Sequence, residues 1–298
     1  VKSGKSGPVT LDSMLKPDIT APGDTIWSAA SKTGNAGKSL NGTSMAAPHM
    51  AGAMALMREL HPGWTVEELK ALLMNTAGKA LRFDAPTTSP EIGPARVGAG
   101  RADLPAATQS DVVAYNAGLP GAVSVSFGVP EVNGTATQTK RIRVVNKGPQ
   151  ALVYSVSYKS AVDMPGVAYT YSPAIINLAP YGTALVDVTM TADASQMHRV
   201  ADPSVITAGG RSWLSEESGY ILLTPGYRYT VYLPMVIGDG GGGTGTEAPM
   251  ATQLRVPVYA APKPVSTMHA VQTNLSFSTI TGTATISLTG TPVDIGAN

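Results

Sequence analysis

One serine at the start of an apolar stretch is the residue of this sequence best placed to do chemistry. Asn41-Gly42-Thr43-Ser44 leads into a run that continues to Leu60 and is predicted to be a helix. The first amides of a helix have no partner inside it, and the helix dipole places partial positive charge there. The Ser44 hydroxyl and these amides would therefore form an anion site. The simpler alternative is that Thr43 or Ser44 only caps the helix.

Charge and motif spacing exclude two other classes of site. Gly37-Lys38-Ser39 ends like a Walker phosphate-binding loop, but Lys32 stands where the first glycine would be. The chain has 21 Lys and Arg against 20 Asp and Glu, a net charge of +1, so no basic excess is available to bind nucleic acid. No apolar run is long enough for a transmembrane helix. The sequence therefore predicts neither a nucleic-acid partner nor a membrane span.

Composition favours a chain rich in strands and turns without thiol chemistry. It holds 32 Gly and 23 Pro, and only 14% of its 298 residues are charged, against about 25% in typical globular proteins. There is no cysteine, which excludes disulfides, thiolate zinc sites and a cysteine nucleophile. Asp239 precedes a glycine run but lacks the further acidic ligands of a calcium loop. No cofactor or metal is predicted from these residues.

Two helices are predicted before residue 80. The first, from Ser44 to about Leu60, is apolar on all sides and is therefore expected inside a domain. Pro48 is tolerable only in a first turn, which places the helix start at or near Ser44. The second begins with a capping box, Thr65 and the glutamate three residues later, and Gly78 is its expected C′ residue. We expect this second helix to be amphipathic and peripheral.

Beyond about residue 108 the apolar pattern changes to period two. Alternation around 123–127, 152–158 and 186–190, bounded by turn residues, predicts an antiparallel β-sandwich. Later strands are predicted at 229–233 and 254–259, separated by a flexible glycine run at 240–245. The predicted domains are therefore 1–108, 109–262 and a further β segment starting in 263–298, with 261–264 as a linker.

The surroundings of Ser44 match a known family in order and spacing. Residues 40–52, Leu-Asn-Gly-Thr-Ser-Met-Ala-Ala-Pro-His-Met-Ala-Gly, closely resemble the nucleophile segment of the subtilisin-like serine proteases, or subtilases (peptidase S8 family). Residues 16–23, 61–64 and 97–103 resemble the flanking segments, and the resemblance covers roughly residues 5–108. It implies an α/β fold for 1–108, the second half of a parallel-sheet catalytic domain.

A weaker resemblance covers the predicted sandwich. Segments at 145–148, 172–174, 219–220 and 255–258 are similar to the fibronectin-III-like domain that follows some subtilase catalytic domains. The resemblance implies an all-β fibronectin-III-like sandwich for 109–262.

The family resemblance also implies roles for individual residues. It implies that Ser44 is the nucleophile of a serine endopeptidase and that its backbone N–H is one oxyanion donor. Asn41, Gly42 and Thr43 would support the nucleophile turn and the oxyanion site. His49 matches a structural histidine of the motif and is not expected to be the catalytic base.

The catalytic triad of the family cannot be filled from this sequence. In subtilases the order is Asp, His, Ser, but no histidine precedes Ser44, and only Asp12, Asp18 and Asp24 lie upstream. For Asp18 and Asp24, loop and strand-end roles are expected. We therefore expect a C-terminal portion of a subtilase, inactive alone, whose partners are the N-terminal half of the catalytic domain and a protein or peptide substrate. Family habit implies secretion or a cell-surface location, and leaves a structural calcium open in the full-length protein.

A different class of function remains open at this level. The chain could be a non-catalytic extracellular β-sandwich protein for binding or adhesion that retains a subtilase-like remnant. Upstream Asp-Thr/Ser-Gly and His-Gly-Thr-His elements would separate the two alternatives. On the catalytic alternative, we expect the first hundred residues alone to be poorly ordered and about 110–262 to fold independently.

Overall fold

The computed structural model describes residues 14–78, 81–82, 91–201, 213–226, 251–271, 285–290 and 292. The helices are α1 Thr43–Leu60, α2 Val66–Asn75, α3 Pro94–Val97 and α4 Leu104–Ala107. The strands are β1 Ile26–Ala29, β2 Gly37–Leu40, β3 Val112–Asn116, β4 Val125–Ser126, β5 Glu131–Val132, β6 Thr135–Asn146, β7 Leu152–Val162, β8 Val167–Ser172, β9 Ile175–Leu178, β10 Thr183–Asp193, β11 Val200–Ala201, β12 Trp213–Leu214, β13 Glu217–Pro225, β14 Leu254–Ala260, β15 Lys263–Pro264, β16 His269–Ala270 and β17 Leu288–Thr289. Within the described ranges, no helix has both the length and the apolar character to cross a membrane.

Helix α1 begins where the sequence predicts but is hardly buried. It starts at Thr43 with Gly42 as its N-cap, which agrees with a start near Ser44. Its buried residues are Ala53 and Met57, and most of its remaining surface is open to solvent in this chain. Pro48 lies beyond the first turn, so the expectation that the proline belongs to that turn is wrong.

Helix α2 has the predicted cap but not the predicted surroundings. The capping box is confirmed: the Glu68 amide donates to Thr65 Oγ1 at 3.2 Å, and the Thr65 amide donates to Glu68 Oε2 at 2.8 Å. The helix ends at Asn75 with Thr76 as C-cap, so Gly78 is not its C′ residue and instead makes an isolated β-bridge. Seven of its residues are buried, so the expectation of a peripheral helix is wrong: Glu68, Leu69, Ala71, Leu72, Leu73, Met74 and Asn75.

The later part of the chain is a β-sandwich, as the period-two pattern predicts. One sheet has the order β3-β6-β10-β8 and the other β4-β14-β13-β7-β9. Every neighbouring pair is antiparallel except β4 with β14. The alternating residues of β6, β7, β10 and β14 face a shared core that includes Phe127, Ile142, Tyr154, Val188, Ile221 and Val256.

Some predicted segments are shorter than expected or lie outside the described residues. The pattern at 123–127 yields only the two-residue strand β4, although Val123 and Phe127 beside it are fully buried as the alternation predicts. The predicted linker contains β15, which pairs in parallel with β5. The predicted strand at 229–233 and the glycine run at 240–245 lie outside the described residues. Of the predicted segment beyond 263, β16 and β17 form an antiparallel pair.

Before the sandwich, the described part of the chain contains no multistranded parallel sheet. Strands β1 and β2 form an antiparallel hairpin, and the parallel pairing in residues 14–110 is an isolated bridge between Thr20 and Arg101. The expected second half of a parallel-sheet domain is thus represented here by one hairpin, four helices and a single parallel bridge.

Helix α2 packs against the sandwich across the predicted domain boundary. Val113 and Val123 of the sandwich belong to the same apolar cluster as the buried leucines of α2. Asn75 Nδ2 donates to the carbonyls of Ala114 at 2.9 Å and Arg255 at 3.0 Å, and its Oδ1 accepts from the Ala114 amide at 2.7 Å. One asparagine therefore satisfies backbone groups of both sheets. The division at residue 108 stays a prediction, and a continuous core crosses it.

Candidate active site

A turn made of two glycines holds the residues before α1. The Gly42 amide donates to the Gly23 carbonyl at 2.7 Å. Gly42 has φ 139°, a value that favours glycine, and a Cβ on Gly23 would lie 2.8 Å from the Gly42 oxygen. Both positions therefore need glycine, for conformation at one and for close approach at the other.

Ser44 lies in the first turn of α1 and is exposed. The amides of Thr43 and Ser44 cannot find an acceptor within the helix, while the Met45 amide donates to the Gly42 carbonyl at 3.0 Å. No acidic residue stands in the first turn to neutralise the helix dipole. The Ser44 hydroxyl and its own N–H thus sit together at the positive end of an 18-residue helix.

Asn41 supports the turn through the backbone of the preceding hairpin. Its Oδ1 accepts a hydrogen bond from the Thr25 amide at 2.7 Å. Directly beside this bond, Ile26 pairs with Leu40 at the open end of the β1–β2 hairpin. Asn41 therefore fixes the point at which the chain leaves the hairpin and enters the Gly42 turn before Ser44.

His49 is held by its own helix. Its Nδ1 lies 2.7 Å from the Met45 carbonyl oxygen. A carbonyl only accepts, so Nδ1 carries the proton and donates it. This nitrogen is unavailable as a base for Ser44, in agreement with the structural role that the motif implies.

The other histidines contact their own surroundings. His61 stacks on Trp64 with ring centroids 4.1 Å apart. Nδ1 of His198 and of His269 is hydrogen-bonded to the backbone oxygen two residues earlier. Within the part of the chain that the structure describes, no hydrogen bond of a histidine reaches Ser44.

The upstream carboxylates are engaged elsewhere or exposed. Asp18 forms ion pairs with Lys16 at 2.5 Å and with Lys70 at 3.2 Å, and its backbone carbonyl accepts from the Ala99 amide at 2.9 Å. Asp24 is exposed in the turn before β1. Asp12 lies outside the described residues. The structure therefore brings Asn41, Gly42, Thr43 and Ser44 together, but places neither described aspartate against Ser44.

Sequence reasoning did not single out Gly23. Its carbonyl accepts the Gly42 amide at 2.7 Å, and a Cβ on it would lie 2.8 Å from the Gly42 oxygen. The Pro22-Gly23 pair is a turn signal that could have marked this position. No local signal marks where the turn docks.

The arrangement brings a hydroxyl and a backbone N–H together, and among the described residues no base is hydrogen-bonded to that hydroxyl. A serine hydroxyl needs an adjacent group to take its proton before it attacks a carbonyl. Among the described residues, no group of three His, Asp or Glu side chains is arranged to hold a metal ion. What this site can supply is one half of an acyl-transfer centre.

Comparisons with known proteins place relatives along the part of the chain that contains this site. A model described as "Subtilase family" matches residues 2–110. The minor extracellular protease Vpr of Bacillus subtilis is 29% identical over 231 residues, which is 74% of this chain and 27% of that protein. The subtilisin-like protease SBT2.6 of Arabidopsis thaliana is 44% identical over 85 residues, which is 24% of this chain and 10% of that protein.

These relatives are much longer than this chain. It spans 27% of the Bacillus protease and 26% of the Arabidopsis subtilisin-like protease SBT1.7, which is 30% identical over 197 residues, or 59% of this chain. Among solved structures, a PapD-like domain of human CEP192 aligns with 52% of this chain and 87% of that domain, at 11% identity and a TM-score of 0.32.

Proposed function

Residues 2–110 belong to the subtilase family, and on that premise we propose that the intact protein is a serine endopeptidase whose nucleophile is Ser44. One observation carries the proposal. Ser44 is exposed on the first turn of α1, directly after a glycine turn that is fixed to Gly23, and no side chain caps this helix through a hydrogen bond. A serine or threonine that only capped the helix would accept a hydrogen bond from an amide of its first turn.

The reaction we propose is peptide hydrolysis through an acyl-enzyme. Ser44 Oγ attacks the peptide carbonyl carbon, and the negative charge that develops on the carbonyl oxygen is stabilised by the Ser44 N–H at the positive end of α1. The amine product then leaves, and water hydrolyses the ester. A base must accept the Ser44 proton in the first step, and no histidine precedes Ser44 in this sequence.

We propose that the histidine, the aspartate and the side-chain oxyanion donor come from the N-terminal half of the catalytic domain. The surface of α1 supports this partner, since Leu56 and Leu60 are half exposed on an apolar helix. Burial of such side chains stabilises a complex by about 1.5 to 3 kcal/mol each. The same half would complete the parallel sheet, of which Thr20 and Arg101 make one bridge here.

We also propose that the protein acts outside the cell on protein or peptide substrates and that its sandwich is fibronectin-III-like. The word "extracellular" in the name of the Bacillus relative supports the location. The two-sheet architecture and the packing of α2 on β3 and β14 support a sandwich built onto a catalytic domain.

The decisive experiment replaces the nucleophile in the intact protein. We expect Ser44→Ala to lower kcat by about 10⁶-fold, the scale found when a subtilisin nucleophile is removed. Ser39→Ala is the matched control, because Ser39 is an exposed serine of the neighbouring strand β2. A loss below tenfold in Ser44→Ala would show that another residue is the nucleophile.

The chain by itself provides a second test. We expect a fluorophosphonate probe to leave Ser44 of this 298-residue chain unlabelled, because nothing in the described structure accepts its proton. Adding the N-terminal half should restore labelling. Stoichiometric labelling of Ser44 in the chain alone would contradict the dependence on that half. Absence of both upstream motifs, with no labelling in either case, would favour the non-catalytic binding protein.

A further inference from the structure

Two residues of the sandwich hold successive carbonyl groups of the segment that precedes α4. Tyr220, 1% exposed on β13, donates its hydroxyl to the Gly98 carbonyl at 3.2 Å. Arg255 on β14 donates through Nη1 to the Ala99 carbonyl at 3.2 Å. Its guanidinium carbon lies 4.7 Å from the centre of the Tyr220 ring. The two side chains therefore contact each other and form hydrogen bonds with adjacent backbone carbonyls.

Residues 98–100 are hydrogen-bonded to residues 18–20, which lie just before the Gly23 turn. The Ala99 amide donates to the Asp18 carbonyl at 2.9 Å, and the Thr20 amide donates to the Gly100 carbonyl at 2.8 Å. A Cβ on Gly98, whose φ is 62°, would lie 2.3 Å from the Asp18 oxygen. Backbone touches backbone here, so a displacement of residues 98–100 must move residues 18–20.

The same chain reaches the nucleophile turn within three residues. Thr20 is followed by Ala21, Pro22 and Gly23, and the ring of Pro22 restricts the backbone between them. Gly23 then accepts the Gly42 amide at 2.7 Å. A continuous set of contacts thus runs from the side chains of Tyr220 and Arg255 through the backbone to Gly42, the N-cap of the helix that carries Ser44.

We propose that Tyr220 and Arg255 are positioning residues for Ser44, an inference that rests on the proposed function. Neither touches the substrate. They fix residues 98–100, and through residues 18–23 they set the place and direction of the Gly42 turn and of the Ser44 N–H. Acyl transfer is sensitive to displacements of the order of 1 Å. Loosening this support lowers kcat and leaves KM nearly unchanged.

The test in the intact protease is Tyr220→Phe, which removes a single hydroxyl. We expect kcat to fall about tenfold with KM unchanged, because the oxyanion geometry is used in the transition state more than in substrate binding. Tyr154→Phe is the matched control, since Tyr154 is another buried sandwich tyrosine, whose hydroxyl donates to the Thr252 carbonyl at 3.5 Å, away from residues 98–100. Equal losses of kcat in the two variants would overturn the proposal.

Arg255 offers a graded series. Arg255→Gln removes the charge that faces Tyr220, whereas Arg255→Lys keeps it and can still reach a carbonyl. We expect kcat to decrease in the order wild type, Arg255→Lys, Arg255→Gln, and the double variant with Tyr220→Phe to lose less than the product of the two single effects, because both act on one segment. Independent, multiplicative effects would contradict a shared support.

A second measurement needs no activity. In this chain, Tyr220→Phe should speed amide hydrogen exchange at Gly42 more than at Val188 in the sandwich core, whereas Tyr154→Phe should not. Unchanged exchange at Gly42 overturns the coupling even if Ser44→Ala abolishes activity and the proposed function stands. If Ser44→Ala retains activity, the proposed function fails, and the exchange experiment still decides whether the sandwich holds the turn.

Discussion

Helices α1 and α2 follow each other in the chain, but α1 is mostly exposed and α2 is mostly buried. Helix α1 is apolar on all sides by sequence but buries only Ala53 and Met57. Helix α2 carries charged residues but has seven buried positions, including Glu68 and Asn75. The difference teaches that burial depends on what neighbouring segments supply, and that a helix's own pattern is a weak guide when a partner surface is polar or absent.

The buried polar residues of α2, Glu68 and Asn75, and the half-buried Glu67 have hydrogen-bond or charged partners in the sandwich. Lys147 forms an ion pair with Glu68 at 2.6 Å, and the Gly121 amide donates to Glu67 Oε1 at 2.7 Å. Burial would raise the pKa of Glu68, but the hydrogen bond and charge of Lys147, with the Thr65 donors, outweigh it and lower that pKa. A charged group with partners on several sides can therefore lie within a core.

The largest expected effect comes from one leucine on each helix. Leu72 of α2 is 0% exposed and Leu56 of α1 is 50% exposed. We expect Leu72→Ala to lower the free energy of unfolding by about 2 to 5 kcal/mol and Leu56→Ala by less than about 0.5 kcal/mol, as measured by urea denaturation of this chain. Similar losses at both positions would show that α1 is covered in solution.

An effect of intermediate size is expected from Glu217, a buried carboxyl in the sandwich. Its surroundings disfavour the charged form, whereas those of Glu68 favour it. Burial raises the pKa of Glu217 to about 7, against the lowering effect of hydrogen bonds from the Met164 amide at 2.6 Å and the Tyr158 hydroxyl at 2.8 Å. The nearby Asp163 carboxylate makes a smaller contribution in the same raising direction. The Tyr169 hydroxyl also faces this residue and donates to its backbone carbonyl.

The sign of the pH dependence follows from that direction. A carboxyl whose pKa is higher in the folded state stabilises the fold below its unfolded value of 4.5, and this contribution is lost as pH rises through about 7. We expect urea midpoints of this chain to fall between pH 5 and 8, and Glu217→Gln to flatten the slope. Glu68→Gln should leave the slope between pH 5 and 8 unchanged, because the lowered pKa of Glu68 makes stability depend on pH only below about 4.5. A slope untouched by Glu217→Gln would contradict this assignment.

The smallest expected effect is a gain on α1. Gly52 lies in the middle of this helix, and a Cβ there would meet nothing within 4 Å. Gly52→Ala should raise the free energy of unfolding by about 0.5 to 1 kcal/mol, since glycine is the more flexible residue in the unfolded chain. Ala71→Gly on α2 is the reverse change at a buried site and should cost at least as much. A loss on Gly52→Ala would mean that another surface packs closely there.

Features that depend on neighbours in sequence could be predicted, and features that depend on distant residues could not. The start of α1 beside Ser44 and the Thr65 capping box are local patterns, and the alternation at 152–158 and 186–190 predicts the faces of β7 and β10. The hydrogen bonds from Tyr220 to Gly98 and from Arg255 to Ala99 join residues 122 and 156 positions apart. No spacing rule reports such pairs.

The surroundings of α2 were misjudged for the same physical reason. A capping box followed by leucines at helical spacing predicts an amphipathic helix, but not how many of its faces meet other elements. The core that contains Leu72 is completed by Val113 and Val123, which the sequence assigns to a separate domain. Sequence predicts each unit, and the contact between the units decides which faces are covered.

The two ends of the β1–β2 hairpin are hydrogen-bonded to each other, so the length of the hairpin can change without displacing the Gly42 turn. Its two ends are joined by the Gly42–Gly23 bond at 2.7 Å and the Thr25–Asn41 bond at 2.7 Å, while its tip at Gly34 extends into open space. Doubling the length of a flexible loop whose ends stay joined costs only about 0.6 kcal/mol. Residues inserted at this tip would lengthen the hairpin without moving its hydrogen-bonded ends. The tip is therefore the part of the site where new sequence, such as a reporter tag, can be added while Ser44 stays in place.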